Sequence, residues 1–289
     1  MVVKHALWAP VIRVVKLIAL YFGYQLALFA VLAGIHKLLV GCNLLEESSQ
    51  HGMVVLSVSL LLSEVLVICH LLHFKYVSRQ SMAWSAIRSG VLCVSVLMVF
   101  GIMNVSNILL EFLDLPNLMQ DQFVEVSRNV FGFVAIAILG PIAEELTFRV
   151  GMEGYFLRHG FSPRKAILVS AAIFGVVHVN PIQVAYAFCL GVVFGWLYYR
   201  TRSALPTIIG HILNNCMAAL IMVFGSDEML DKTTVELFGL GHTILILVAA
   251  TVLVVLTYGA LNKKLLPKGS VRLLDDDSVE SDDSGEHVG

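Results

Sequence analysis

The stretch from Asn129 to Leu157, NVFGFVAIAILGPIAEELTFRVGMEGYFL, decides how the chain is read. It exceeds the ~20 apolar residues that a helix needs to cross a bilayer. Yet Glu144, Glu145 and Arg149 sit inside it. A charged side chain at mid-bilayer costs about 2.5–3.5 kcal/mol on insertion scales, so charges kept there mark a site or a pair. Gly140-Pro141, just ahead of Glu144, predicts a kink, because proline removes a backbone donor and crowds the preceding turn.

Further apolar stretches lie on both sides. With this one, candidate spans fall near 17–35, 53–72, 89–110, 129–157, 166–179, 182–199, 204–224 and 241–262. The 289 residues are 58% hydrophobic and 14% charged, where soluble domains carry nearer a quarter charged. The fold class that follows is all-α: a polytopic transmembrane helical bundle of about eight spans with an intramembrane polar cavity. The fifth candidate is short, and His178-Val179-Asn180-Pro181 ends it, so the chain is expected to turn back below the outer surface there. The first stretch reads as a retained anchor rather than a cleaved signal.

Charge placement tests the count. If the N-terminus is inside, 15 of the 19 Lys and Arg residues fall on inside segments. Lys37, Arg128 and Lys232 fall outside, and Arg149 lies within the membrane. That bias predicts an integral, multi-pass protein with both termini cytoplasmic. The net charge of −2 gives no footprint for nucleic acid, and lipid is the expected surrounding. The chain divides into N-terminal transmembrane helices (1–128), a core (129–224), a last transmembrane helix (225–268) and a disordered acidic tail (269–289). The five cysteines show no CxxC spacing and read as buried thiols.

Polar groups cluster in the second half: Glu144-Glu145-Leu-Thr-Phe-Arg149, Phe174-Gly-Val-Val-His178 and His211-Ile-Leu-Asn214-Asn215. Glu145 and Arg149 are four apart and can pair on one helix face, and His211 and Asn215 also point together. Glu144 lies about 100° round from Glu145. Counted from the inner ends, the three groups reach similar depth, roughly 12–20 Å. Peptide hydrolysis needs an activated water, a proton shuttle and donors for a tetrahedral oxyanion. Glu144 suits the base, His178 the partner that holds the water, and His211 with Asn215 the oxyanion donors. Arg149 and Glu145 support the helix that carries Glu144. Glu64 has no obvious partner and reads as structural or near an edge. His70 and His73 read as interfacial, and Gly191 with Gly195 as a close helix contact.

At these residues the chain resembles the CAAX-processing and bacteriocin-immunity (CPBP, or ABI) family of intramembrane proteases. The family motifs EExxxR, FxxxH and HxxxN appear in family order over about residues 129–224. The first ~120 residues resemble the family only in hydrophobicity. The resemblance implies an eight-helix bundle around a cavity. It also implies peptide hydrolysis near the cytosolic side, with a peptide or membrane protein as substrate. It assigns Glu144 as base, His178 as its partner, His211 and Asn215 as oxyanion stabilisers, and Glu145, Arg149 and Phe174 as support. No metal or other cofactor is expected. The alternative is zinc held by Glu144, His178 and His211, although the chain lacks HExxH. A second function from another class is a non-catalytic scaffold or bacteriocin-immunity protein that keeps the polar groups for packing. A proton-coupled transporter ranks last, since no repeated halves are visible.

Overall fold

The computed structural model describes residues 2–83 and 87–265. The acidic segment 269–289 read as a tail lies outside the described residues, as does Lys268. The long elements, in chain order, are α1 (Val2–Gly41), α2 (Ser49–His73), α3 (Ser89–Glu111), α4 (Gln120–Arg128), α5 (Val130–Arg158), α6 (Pro163–Val176), α7 (Pro181–Thr201), α8 (Leu205–Phe224) and α9 (Leu240–Ala260). No strand occurs among the described residues. Seven of these helices are long and apolar enough to cross a membrane, so the protein is an all-α, multi-pass bundle. The remaining candidate, the fifth, is α6. Its 14 residues give roughly 21 Å at 1.5 Å each, short of the ~30 Å hydrocarbon layer.

Local chemistry sets the helix ends. Ser48 Oγ accepts from Gln50 N at 3.2 Å ahead of α2, and Asn129 Oδ1 accepts from Phe131 N at 2.9 Å ahead of α5. Both cap donors that have no partner within the helix. Pro163, Pro181 and Pro206 open α6, α7 and α8, where a missing N–H costs nothing. Between α6 and α7 the turn is tight: Val179 has φ +61°, a left-handed conformation that β-branched residues rarely adopt. Asn180 holds the turn down. Its Oδ1 accepts from Leu118 N at 3.0 Å and its Nδ2 donates to Asn117 Oδ1 at 2.8 Å.

α5 is the most enclosed span, with α1, α2, α6, α7 and α8 packed around it. Leu17, Val67, Leu146, Phe148, Met152 and Phe174 form the core between these helices. The outermost helices present bare apolar faces, with Leu26 and Leu38 on α1 and Leu245 and Leu256 on α9 exposed. Lipid is the partner that such faces require. This corrects the reading of the cysteines: Cys42, Cys69 and Cys93 are exposed, and Cys189 and Cys216 are half-buried. An apolar run in a membrane helix includes its lipid face, so it does not imply burial in protein.

The irregularity expected at Gly140-Pro141 takes a specific form. α5 winds as a π-helix over Ala135–Leu139 and again over Leu146–Glu153, with an α-helical segment, Gly140–Glu145, between them. Gly140 N–H donates to Ala135 O, five residues back. Pro141 has no N–H to offer the next carbonyl, Ile136 O. Such π segments are rare and gather at functional sites.

α6 and α7 pack face to face with almost no gap. A Cβ at Gly191 would stand 3.1 Å from Ala171 Cβ, as expected for a close helix contact, and one at Gly175 would stand 2.8 Å from the carbonyl oxygen of Val184. A backbone carbonyl cannot swing aside, so Gly175→Ala is expected to destabilise the folded protein by about 1–3 kcal/mol. Gly34→Ala on α1 meets nothing within 4 Å and is expected to leave stability unchanged or raised. Thermal unfolding of both variants in detergent checks the pair.

Candidate active site

Phe174 is the hub of the site. It is fully buried on α6, and four side chains pack on its ring. The Arg149 guanidinium carbon lies 4.7 Å from the ring centroid, within cation–π range. Phe148 meets it edge-on at 5.1 Å, His178 at 4.9 Å and His211 at 5.9 Å. The four-residue spacing from Phe174 to His178 sets the ring beside its own imidazole.

Arg149 and Glu145 are both fully buried and pair through Nε and Oε2 at 3.1 Å, as their spacing predicts. Arg149 Nη1 also donates to Ser170 Oγ at 3.2 Å, and Ser170 Oγ donates to Phe148 O at 2.9 Å. The other oxygen of Glu145 binds a group that helix periodicity alone does not assign to it. Oε1 accepts from His211 Nδ1 at 3.2 Å. The far nitrogen of the same imidazole, Nε2, lies 3.7 Å from Glu144 Oε2. His211 therefore stands between the two adjacent carboxylates. A carboxylate on Nδ1 fixes the ring's orientation and the position of its proton.

Glu144 is mostly enclosed, with 19% of its side chain exposed. Its Oε1 is 3.3 Å from the Tyr21 hydroxyl. Its Oε2 is buried and has no hydrogen-bond partner among the described residues. His178 gives Nδ1–H to Phe174 O at 2.7 Å, which leaves Nε2 as the free nitrogen of a half-buried ring. Among the described residues no hydrogen bond joins His178 directly to Glu144.

Asn215 answers the gap in α5. Its Nδ2 donates to Ile136 O at 2.8 Å, the carbonyl that Pro141 leaves without a donor. Its Oδ1 accepts from Asn214 Nδ2 at 2.9 Å, and Tyr186 OH donates to Asn214 Oδ1 at 2.6 Å. One N–H of Asn215 remains for another acceptor. Among the described residues no group of three or more His, Cys, Asp or Glu side chains is placed to hold a metal ion.

The structure also brings in residues that the sequence reading left aside. Glu64 on α2 is buried and touches this cluster through Tyr21, with the hydroxyl 3.1 Å from Glu64 Oε1. It is neither at an edge nor unpartnered. Glu153, four residues beyond Arg149, is buried with neither carboxyl oxygen hydrogen-bonded among the described residues. A carboxylate inside an apolar span is a signal in itself.

Fold and site together define a multi-pass membrane protein with a Glu–His–Glu–Arg centre enclosed by its helices. Residues 126–217 match the family model described as type II CAAX prenyl endopeptidase Rce1-like. That segment contains all seven site residues read from the sequence. The chain is 32% identical over 114 residues to UPF0177 protein YaiH of Lactococcus lactis, covering 38% of this chain and 46% of that protein. It is 30% identical over 100 residues to "Probable CAAX prenyl protease 2" of Schizosaccharomyces pombe, covering 28% of this chain and 37% of that protein. The chain thus spans less than half the length of these relatives. No solved structure matches it significantly.

The buried pair makes a prediction about stability. Arg149→Met leaves Glu145 with an uncompensated charge and is expected to cost about 3–5 kcal/mol. The double variant Glu145→Gln/Arg149→Met removes both charges and is expected to recover much of that loss. Comparing wild type, Glu145→Gln, Arg149→Met and the double variant by thermal unfolding in detergent checks the coupling; additive losses would contradict it.

Proposed function

We propose that this protein is an intramembrane endopeptidase of the CAAX-protease type, working by glutamate-dependent water activation. The observation that carries the reading is the Glu144–His211–Glu145 arrangement: one carboxyl oxygen of Glu144 is buried and unbonded, beside an imidazole oriented by a second carboxylate. A buried polar atom without a partner is where an ordered water belongs.

In this reading Glu144 Oε2 takes a proton from a water as that water attacks the scissile carbonyl. His178 Nε2 holds the same water from the other side. His211 donates from Nε2 to the developing oxyanion, which requires the imidazolium form, with Nδ1–H on Glu145 and a second hydrogen on Nε2. The unused N–H of Asn215 is the second donor. Glu144 then hands its proton to the leaving amine. Glu145 and Arg149 touch no reacting atom and act by orienting His211 and Phe174. The Lys/Arg bias supports cytoplasmic termini and a site reached from the cytosolic side. The substrate is a peptide or a membrane protein.

A second reading has one observation in its favour. Asn215, Glu145 and Arg149 already have partners within the protein, as a non-catalytic scaffold or immunity protein would also have. Activity separates the two. Glu144→Gln is expected to fold normally and to lose about 10²–10⁴-fold in peptidase turnover, the range of a general base. Cleavage of a membrane-anchored peptide in liposomes is the measurement. Full turnover in Glu144→Gln would remove the enzyme reading, and full biological activity in Glu144→Gln and His178→Ala would establish the scaffold.

A further inference from the structure

The matched segment begins at residue 126, yet the Glu144 carboxylate is held from outside it. Tyr21 on α1 is buried, with its ring packed against Phe148 at 6.4 Å. Its hydroxyl lies 3.3 Å from Glu144 Oε1 and 3.1 Å from Glu64 Oε1. Gln25, four residues on and so on the same face of α1, donates from Nε2 to Glu64 Oε1 at 3.0 Å. Glu64 itself is buried on α2, and its Oε2 has no hydrogen-bond partner among the described residues.

We propose that Tyr21 and Glu64 are positioning residues for Glu144: they hold its Oε1 and so leave Oε2 as the oxygen that meets the attacking water. This rests on the protease reading above. Three observations carry it. First, the two oxygens of Glu144 are treated differently. Oε1 has a donor from α1, and Oε2 has none and faces His211. A carboxylate free to rotate would present either oxygen to water, and only one geometry is productive.

Second, Glu64 is an expensive way to secure a helix. A carboxyl group buried in a span costs several kcal/mol unless satisfied, and a well-packed apolar residue would serve packing as well or better. Its partners here are neutral: a hydroxyl and an amide.

Third, the hydrogen count fits a chain. Tyr21 has one hydroxyl hydrogen and two carboxyl oxygens in range. The contacts are all attractive when one carboxyl group is itself a donor. With the Glu64 carboxyl group donating to Tyr21 Oη, the Tyr21 hydrogen is committed to Glu144 Oε1. Glu64 thus acts through Tyr21 and touches no reacting atom.

The test uses the full chain in liposomes and in detergent. Tyr21→Phe and Glu64→Leu are expected to lower kcat about tenfold to a hundredfold with KM within about twofold, the size of a small misplacement at a reacting centre. Glu64→Gln keeps a donor toward Tyr21 and is expected to restore most of the kcat that Glu64→Leu loses. A merely structural role would lower the folded fraction instead and leave the kcat of the folded protein intact. Wild-type kcat in Tyr21→Phe would overturn the proposal, as would a Glu64→Gln variant no better than Glu64→Leu. A second arm needs no activity. Infrared spectra identify the Glu144 carboxyl band by its loss in Glu144→Gln, and Tyr21→Phe is expected to shift that band. An unmoved band overturns the proposal even where no peptide is cleaved, whereas an inactive wild type with a shifted band overturns only the protease reading.

Discussion

A guanidinium buried in the middle of a membrane protein is the constraint around which this bundle is arranged. Removing Arg149 and Glu145 from water costs several kcal/mol per ion, and the pair survives only with local satisfaction, which here leaves Arg149 Nη2 without a hydrogen bond among the described residues. That satisfaction comes from four helices. α5 supplies both charges, and α6 supplies the Ser170 hydroxyl and the Phe174 face. α7 adds the ring of Phe194, 5.8 Å from the guanidinium. α8 adds His211 on the free oxygen of Glu145. The relative register of α5, α6, α7 and α8 is therefore fixed around one planar cation. His178 and His211 inherit their positions from it, because both rings rest on Phe174.

The winding of α5 is the second constraint, and it works through the backbone. π-helical turns and a proline leave carbonyls that the helix cannot satisfy itself. Inside a bilayer such groups persist only where protein covers them. Here Asn215 Nδ2 reaches Ile136 O, Cys216 Sγ lies 3.7 Å from Ala137 O, and Arg13 Nε reaches Gly151 O at 3.2 Å. Each of these contacts ties α5 to α8 or to α1. The same winding brackets the short α-helical turn carrying Glu144 and Glu145, which holds both carboxylates within reach of a single imidazole.

Much of this was legible in the sequence because helix spacing and lipid make strong local rules. Glu145 with Arg149, and Phe174 with His178, are contacts within one helix, so four-residue spacing was enough to find them. The short fifth span and its turn at Asn180-Pro181 followed from length and proline alone. Contacts from α1 and α2 to the site were not legible. Glu64 meets a tyrosine 43 residues away, and nothing in the local pattern of α2 names α1 as its partner. Gly140-Pro141 showed where α5 departs from regularity but not that the departure is π-helical. The cysteines were misplaced for the opposite reason: apolar neighbours in a span describe the lipid face as readily as the core.

The N-terminal spans now need a physical account of their own. α1 and α2 lie outside the segment that matches the family, and hydrophobicity alone would cast them as lipid-facing wall. A wall has no use for Tyr21, Gln25 and Glu64, whose polar atoms would cost free energy against hydrocarbon. Those three side chains all turn inward, onto Glu144 and onto one another. Without α1 and α2, Glu144 would lose the hydroxyl on its Oε1 and lie beside lipid, where a carboxylate is costly. The polar centre is thus satisfied only by helices from both halves of the chain, and its boundary is set by hydrogen bonding rather than by the extent of the matched segment.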